Sequence, residues 1–131
     1  MKVVFTGKAP ASTDLYSPGV IAGKTLYLSG QIPVIPATGE LCSGGFAEQA
    51  EQVMKNISAL LSSAGTDFSR VVKTTCFLRD ASDFAEFNRI YARYFTGGPS
   101  GVKPARSCVA VSALPKGVLV EVEVIAALED E

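Results

Sequence analysis

The chain has 131 residues, 47% of them hydrophobic and 19% charged, with no histidine and a formal net charge of -1. That length predicts one globular domain, residues 1–131, able to bury a core without disulfides or metals. The balanced charge lacks the clustered basic excess of a nucleic-acid binder. No apolar run approaches the roughly 20 residues that span a bilayer, so neither nucleic acid nor membrane is an expected partner.

In chain order, residues 3–5 predict a short strand, and the break at Gly7-Lys8 comes too soon for a signal peptide. Tyr16-Ser17-Pro18-Gly19 sets an aromatic before a turn. Residues 19–24 and 25–29 predict two further strands joined at Gly23-Lys24. Ser29-Gly30-Gln31-Ile32-Pro33 then ends a strand at a glycine, where a ligand approaches the backbone closely. An extended loop is expected over residues 30–45, rich in Pro, Gly, Thr and Ser.

Phe46, Ala50, Val53, Met54, Ile57, Leu60, Leu61 and Ala64 fall on one helical stripe, with Gly65 as its stop. Residues 71–78 are β-branched and aromatic, hence a strand, and Lys73 in its middle is expected to face solvent. A second stripe, Phe84, Phe87, Tyr91, Tyr94 and Phe95, comes after the capping candidates Asp80, Ser82 and Asp83. A glycine-rich loop over residues 97–103 leads to residues 104–111 and 118–124. These read as a β-hairpin carrying Arg106 on one strand and Glu121 and Glu123 on the other. The acidic end, Glu129-Asp130-Glu131, is expected to fray.

The order β-β-β-α-β-α-β-β predicts an α+β fold: one mixed sheet of about six strands with two helices on one face. Alternation puts Val120, Val122 and Val124 on one face of the last strand and Glu121, Glu123 and Ile125 on the other. With the valines against the helices, Arg106 and Glu121 are expected together on the open face or its rim. Other copies of the chain are expected to cover that face.

Arginine grips carboxylates through a rigid fork of donors, and a carboxylate beside it moves protons. The pair therefore suggests a site for a small acid, provided the two side chains share one cavity. The bland alternative is a cross-strand ion pair worth under about 1 kcal/mol. Cys42, Cys76 and Cys108 are odd in number and lack CxxC spacing, which predicts reduced thiols, a cytoplasmic setting and no zinc site. Without histidine, Cys108 has no partner to activate it, and a backbone role toward a ligand is expected instead. Catalytic triads, histidine metal clusters and phosphate-binding glycine loops lose their parts, so no cofactor or metal is expected.

In this order the segments resemble the RidA/YjgF family along almost the whole chain. They are Ala9-Pro10, Tyr16 to Val20, Ser29 to Pro33 with Thr38-Gly39-Glu40, Gln49, Asn56, Ala64-Gly65, Val72 to Leu78, Asp83-Phe84, Phe87-Asn88, Pro104 to Val109, Leu114-Pro115-Lys116 and Glu121-Val122-Glu123. The resemblance implies a chorismate-mutase-like fold, a homotrimer with three clefts between subunits, and hydrolysis of reactive enamines and imines to 2-oxo acids and ammonia. It links the protein to the pyridoxal-phosphate dehydratases that release such intermediates. The family's carboxylate-binding arginine maps onto Arg106. Glu121 would then activate water, the backbone of Cys108 and Gly30 would help place it, and Tyr16, Ser29 and Asn88 would line the pocket. Asp14-Leu15, Lys103 and Ala110 depart from the family pattern. Two other functions stay open: a non-catalytic binder of small carboxylates with a regulatory or chaperone-like role, and a ribonuclease or translation inhibitor.

Overall fold

The computed structural model describes residues 1–4, 6 and 15–129. Phe5, Gly7-Lys8, Ala9-Pro10, Asp14, Asp130 and Glu131, each of which carries an expectation above, lie outside them. The elements are β1 (Lys2–Val4), β2 (Gly19–Ala22), β3 (Thr25–Leu28), α1 (Phe46–Ser63), β4 (Val71–Leu78), α2 (Phe84–Tyr94), β5 (Ala105–Ala110) and β6 (Val120–Ala127). This is the predicted order, and the strands form one six-stranded sheet, β1-β2-β3-β6-β4-β5. The sheet is mixed, because β5 pairs with β4 in parallel while the other pairings are antiparallel.

The apolar stripe of α1 lies where its spacing placed it. Ala50, Val53, Met54, Ile57, Leu60 and Leu61 are buried against Val120, Val122 and Val124 of β6 and Cys76 and Leu78 of β4. Gly65 takes φ +82, which lets the chain turn back so that the Thr66 N–H bonds the Leu61 carbonyl at 3.0 Å. In α2, Phe87 and Ile90 are buried, and Asp80 caps the short turn leading into the helix by accepting from the Ser82 N–H.

One buried amide ties the long loop down. Asn56 donates to the carbonyls of Ile32 and Val34 at 3.1 and 3.0 Å, and its own oxygen accepts from Gln52. The amide thus bridges two carbonyls of the loop, the Ile32 carbonyl also accepting from the Val34 N–H at 2.8 Å, which holds Ile32 in place.

The expected hairpin between the last two strands does not exist. β6 inserts between β3 and β4, and β5 lies outside β4 at the sheet edge. Residues 111–119 cross the end of β4 and bond to it, Val111 N–H to Leu78 O and Arg79 N–H to Leu119 O. A central strand gains hydrogen-bonded neighbours on both sides, and the apolar residues of β6 suit that position.

The consequence for side chains is direct. Arg106 is level with Thr74, which is level with Val124, and both are buried on the helix side. Glu121 is level with Phe77 and Val109, on the open side. Arg106 and Glu121 thus project from opposite faces of the sheet, contrary to expectation. The open face also carries Lys73, Glu123 and Ile125, and leaves Tyr27 47% and Val109 45% exposed.

Candidate active site

The seven residues singled out in the sequence fall into two groups. Tyr16, Ser29, Gly30 and Glu121 line one cleft of about 290 Å³, together with Ile32 and Pro115. Asn88, Arg106 and Cys108 lie on the other side of the sheet.

A bulge builds the first group. Tyr27 pairs with Ile125 and Gln31 with Val122, so β3 and its extension take four steps where β6 takes three. The extra residue bends the strand and re-aims the side chains beyond it, as bulges beside functional sites do. Gln31 secures the bend through two backbone bonds to Val122 and a side-chain bond to the Ser29 carbonyl. Gly30 is thereby pressed against Glu121, and a Cβ there would overlap the carboxylate carbon and Oε2. The glycine makes room for the acid.

Glu121 is half-buried, and its carboxyl is pushed above the ordinary glutamate value, first by burial and then by the charge of Glu123 on the same face. Ser29 closes the cleft floor, its hydroxyl donating to the Ser17 carbonyl at 2.6 Å. Pro115 is presented by a tight turn in which Lys116 adopts φ 56, a left-handed conformation unusual for a non-glycine residue.

The second group forms around an exposed guanidinium. Arg106 Nη1 donates to Asn88 Oδ1 of α2 at 2.9 Å, and its Cζ sits 4.8 Å from the centre of the Tyr91 ring. Asn88 holds one donor, and the guanidinium makes no salt bridge to an acidic side chain among the described residues. Cys108 lies beside buried Cys76. Burial pushes the Cys76 thiol up to about 12, and it also raises Cys108 against the opposing pull of Arg106. Neither thiol is an activated nucleophile.

Lys73 does not reach freely into solvent. It is half-buried on the open face, donating to the Thr74 carbonyl at 3.0 Å and the Ser107 hydroxyl at 3.2 Å. Ile32, Pro115, Gln31 and Tyr91 carried no expected site role. Tyr91 showed only as part of a helical stripe, and nothing in its spacing marked the cation above it.

Each group has half of what acid chemistry requires. The guanidinium can hold a carboxylate, and the raised acid across the sheet can accept and return a proton. Among the described residues they project from opposite faces of the sheet within one protomer, and both lie beside surface the single chain leaves uncovered. β5 is an edge strand with five of its six residues exposed, and such edges invite pairing or cover.

Comparison with known proteins gives a consistent match. The family model described as Endoribonuclease L-PSP fits residues 6–128. A 2-iminobutanoate/2-iminopropanoate deaminase of Rattus norvegicus is 48% identical over 125 residues, 95% of this chain and 88% of that protein. A putative regulator, AldR, of Lactococcus lactis is 50% identical over 126 residues, 96% and 97% of the two chains. The crystal structure of a Rid-family protein of unknown function from Yersinia pestis superposes with a TM-score of 0.91 at 47% identity, covering 96% of this chain and 98% of that one.

Proposed function

The chain belongs to the Rid family, whose model carries the description Endoribonuclease L-PSP, and from that membership we propose that it hydrolyses reactive 2-imino acids to 2-oxo acids and ammonia. The substrates are the imines derived by tautomerisation from 2-aminoacrylate and 2-aminocrotonate, enamines released by pyridoxal-phosphate dehydratases in the cytoplasm. The working form is a homotrimer. Each cleft joins the Glu121 group of one copy to the Arg106 group of the next.

The reading is supported by the division of the site. An exposed guanidinium with donors unclaimed among the described residues and a half-buried, proton-avid carboxylate lie on opposite faces of the sheet. A ring of copies brings unlike patches together. Arg106 then holds the substrate carboxylate, and the imine carbon lies near Glu121 of the neighbouring copy. Glu121 takes a proton from water as the water oxygen bonds to the imine carbon. The nitrogen gains that proton and one further proton from solvent. The carbon–nitrogen bond breaks, the hydroxyl becomes the carbonyl as its proton is lost, and ammonia leaves. An imine is already electrophilic, so orientation supplies much of the acceleration. A carboxylate-binding regulator, the role named for the Lactococcus relative, would use Arg106 alike but gain nothing from an anion opposite it.

The test is subunit mixing. Arg106→Ala and Glu121→Gln chains, each inactive alone, are co-expressed in equal amounts under different tags. Random assembly in a ring makes about one quarter of the clefts wild-type in both halves, so about a quarter of normal turnover should return. No recovery in isolated mixed oligomers would rule out a site shared between copies.

Gly30→Ala offers an independent check. The added methyl displaces the Glu121 carboxylate, and a shift of about 1 Å at a reacting group costs roughly a hundredfold. kcat should fall on that scale with the melting temperature little changed. A rate within twofold of wild type would mean that Glu121 need not stand where it does.

A further inference from the structure

Tyr91 lies directly beneath Arg106 and is held by both ring contacts and a hydrogen bond. Its ring stacks on Phe95 at 4.3 Å with 26° between planes, and Phe87 packs against it at 5.7 Å. Phe87 and Phe95 are both fully buried. The phenol oxygen is 2.8 Å from the hydroxyl of Thr74, a buried residue level with Arg106 in the adjoining strand. The ring is thus fixed by stacking on one face and by a hydrogen bond at its tip. Its other face supports the guanidinium at 4.8 Å.

We propose that Tyr91 is a positioning residue, an aromatic platform that sets the plane of the Arg106 guanidinium so that the donors not held by Asn88 meet an incoming carboxylate already oriented. The physical need is clear. An exposed arginine samples many rotamers, and freezing them on binding weakens affinity. Guanidinium groups stack on aromatic faces, whereas an ammonium is not oriented in this way. The platform therefore explains why the position calls for arginine rather than any cation, and it ties affinity to α2.

This inference rests on Arg106 being a carboxylate clamp, and the test separates the two ideas. Rotation about the Arg106 Cζ–Nε bond is measured by nitrogen-15 NMR in wild type, Tyr91→Phe and Tyr91→Leu. Binding of 2-oxobutanoate is measured on the same samples by titration. Tyr91→Phe keeps the face and should stay within about twofold of wild type in both readouts. Tyr91→Leu should speed the rotation and weaken binding by up to about tenfold, the scale of ordering one mobile side chain on binding, with kcat nearly unchanged. In an Arg106→Lys background the same leucine substitution should add nothing. Tyr91→Met, of similar volume, serves if the leucine variant unfolds. Unchanged rotation without the ring, or equal loss in the lysine background, would reduce Tyr91 to a packing residue. If instead 2-oxobutanoate binds equally well to Arg106→Ala, the clamp itself is wrong, whatever the rotation shows.

Discussion

Arg106→Ala is expected to lose imine hydrolysis by about a hundredfold or more in kcat/KM while the protein remains folded. A bidentate pair between guanidinium and carboxylate comprises two charge-assisted hydrogen bonds, each worth about 1.5–3 kcal/mol. Losing both removes roughly 3–6 kcal/mol from the bound state, and the hundredfold figure is the lower end of that range. The fold should tolerate the change, since Arg106 is exposed on an edge strand and its contacts are Asn88 and the face of Tyr91. The assay couples the protein to a serine or threonine dehydratase and times the appearance of 2-oxo acid, with semicarbazide trapping the free imine. Wild-type turnover from a folded Arg106→Ala protein would rule out Arg106 as the group that holds the substrate carboxylate in this reaction.

Glu121→Gln should have an effect of similar size on rate and should raise stability. A side chain that accepts and returns a proton contributes about 10²–10⁴-fold, so turnover should fall on that scale. The raised carboxyl sets the effect on stability. Burial, and secondarily Glu123, disfavour the charged form in the folded chain, so between the ordinary glutamate value and the raised one the folded state binds more protons than the unfolded. Stability therefore declines as pH rises through that window. Glutamine removes the charge, so the variant should melt higher than wild type at neutral pH, and the difference should vanish below the window. Because the group is only half-buried the gain is under about 1 kcal/mol, or up to about 4 °C for a domain of this size. The rate should carry the same signature, rising with pH through the raised value, because the carboxylate is the active form. Removing the Glu123 charge with Glu123→Gln should move that limb to lower pH. A Glu121→Gln protein that melts lower at neutral pH while still turning over would contradict both the proton-transfer role and the cost of the buried charge.

The two helices were legible from the chain alone because a 3.6-residue apolar period over Phe46 to Ala64 permits little else, and Gly65 marked its end. The order of elements came from local signals of the same kind, and alternation in residues 120–125 correctly separated the valines from the glutamates. Arg106 and Glu121 stood out because a histidine-free chain offers few groups that bind and protonate small acids.

What local signals could not carry was strand pairing. Residues 104–111 and 118–124 are adjacent in sequence, and a hairpin is the short-range default. The competition that placed β6 between β3 and β4 was settled by long-range backbone bonding and by burial of Val120, Val122 and Val124 beneath α1. That single choice of neighbour moved Arg106 to the helix side, set it on Tyr91, and separated it from Glu121. The bulge at Gly30 and its contact with Glu121 arose in the same way, from a register no single strand encodes. The amino-acid sequence determined which residues carry the chemistry, since residue type and local period are properties of the chain itself. Tertiary structure decided on which side Arg106 lies relative to Glu121, because that depends on which distant strand pairs beside each of them.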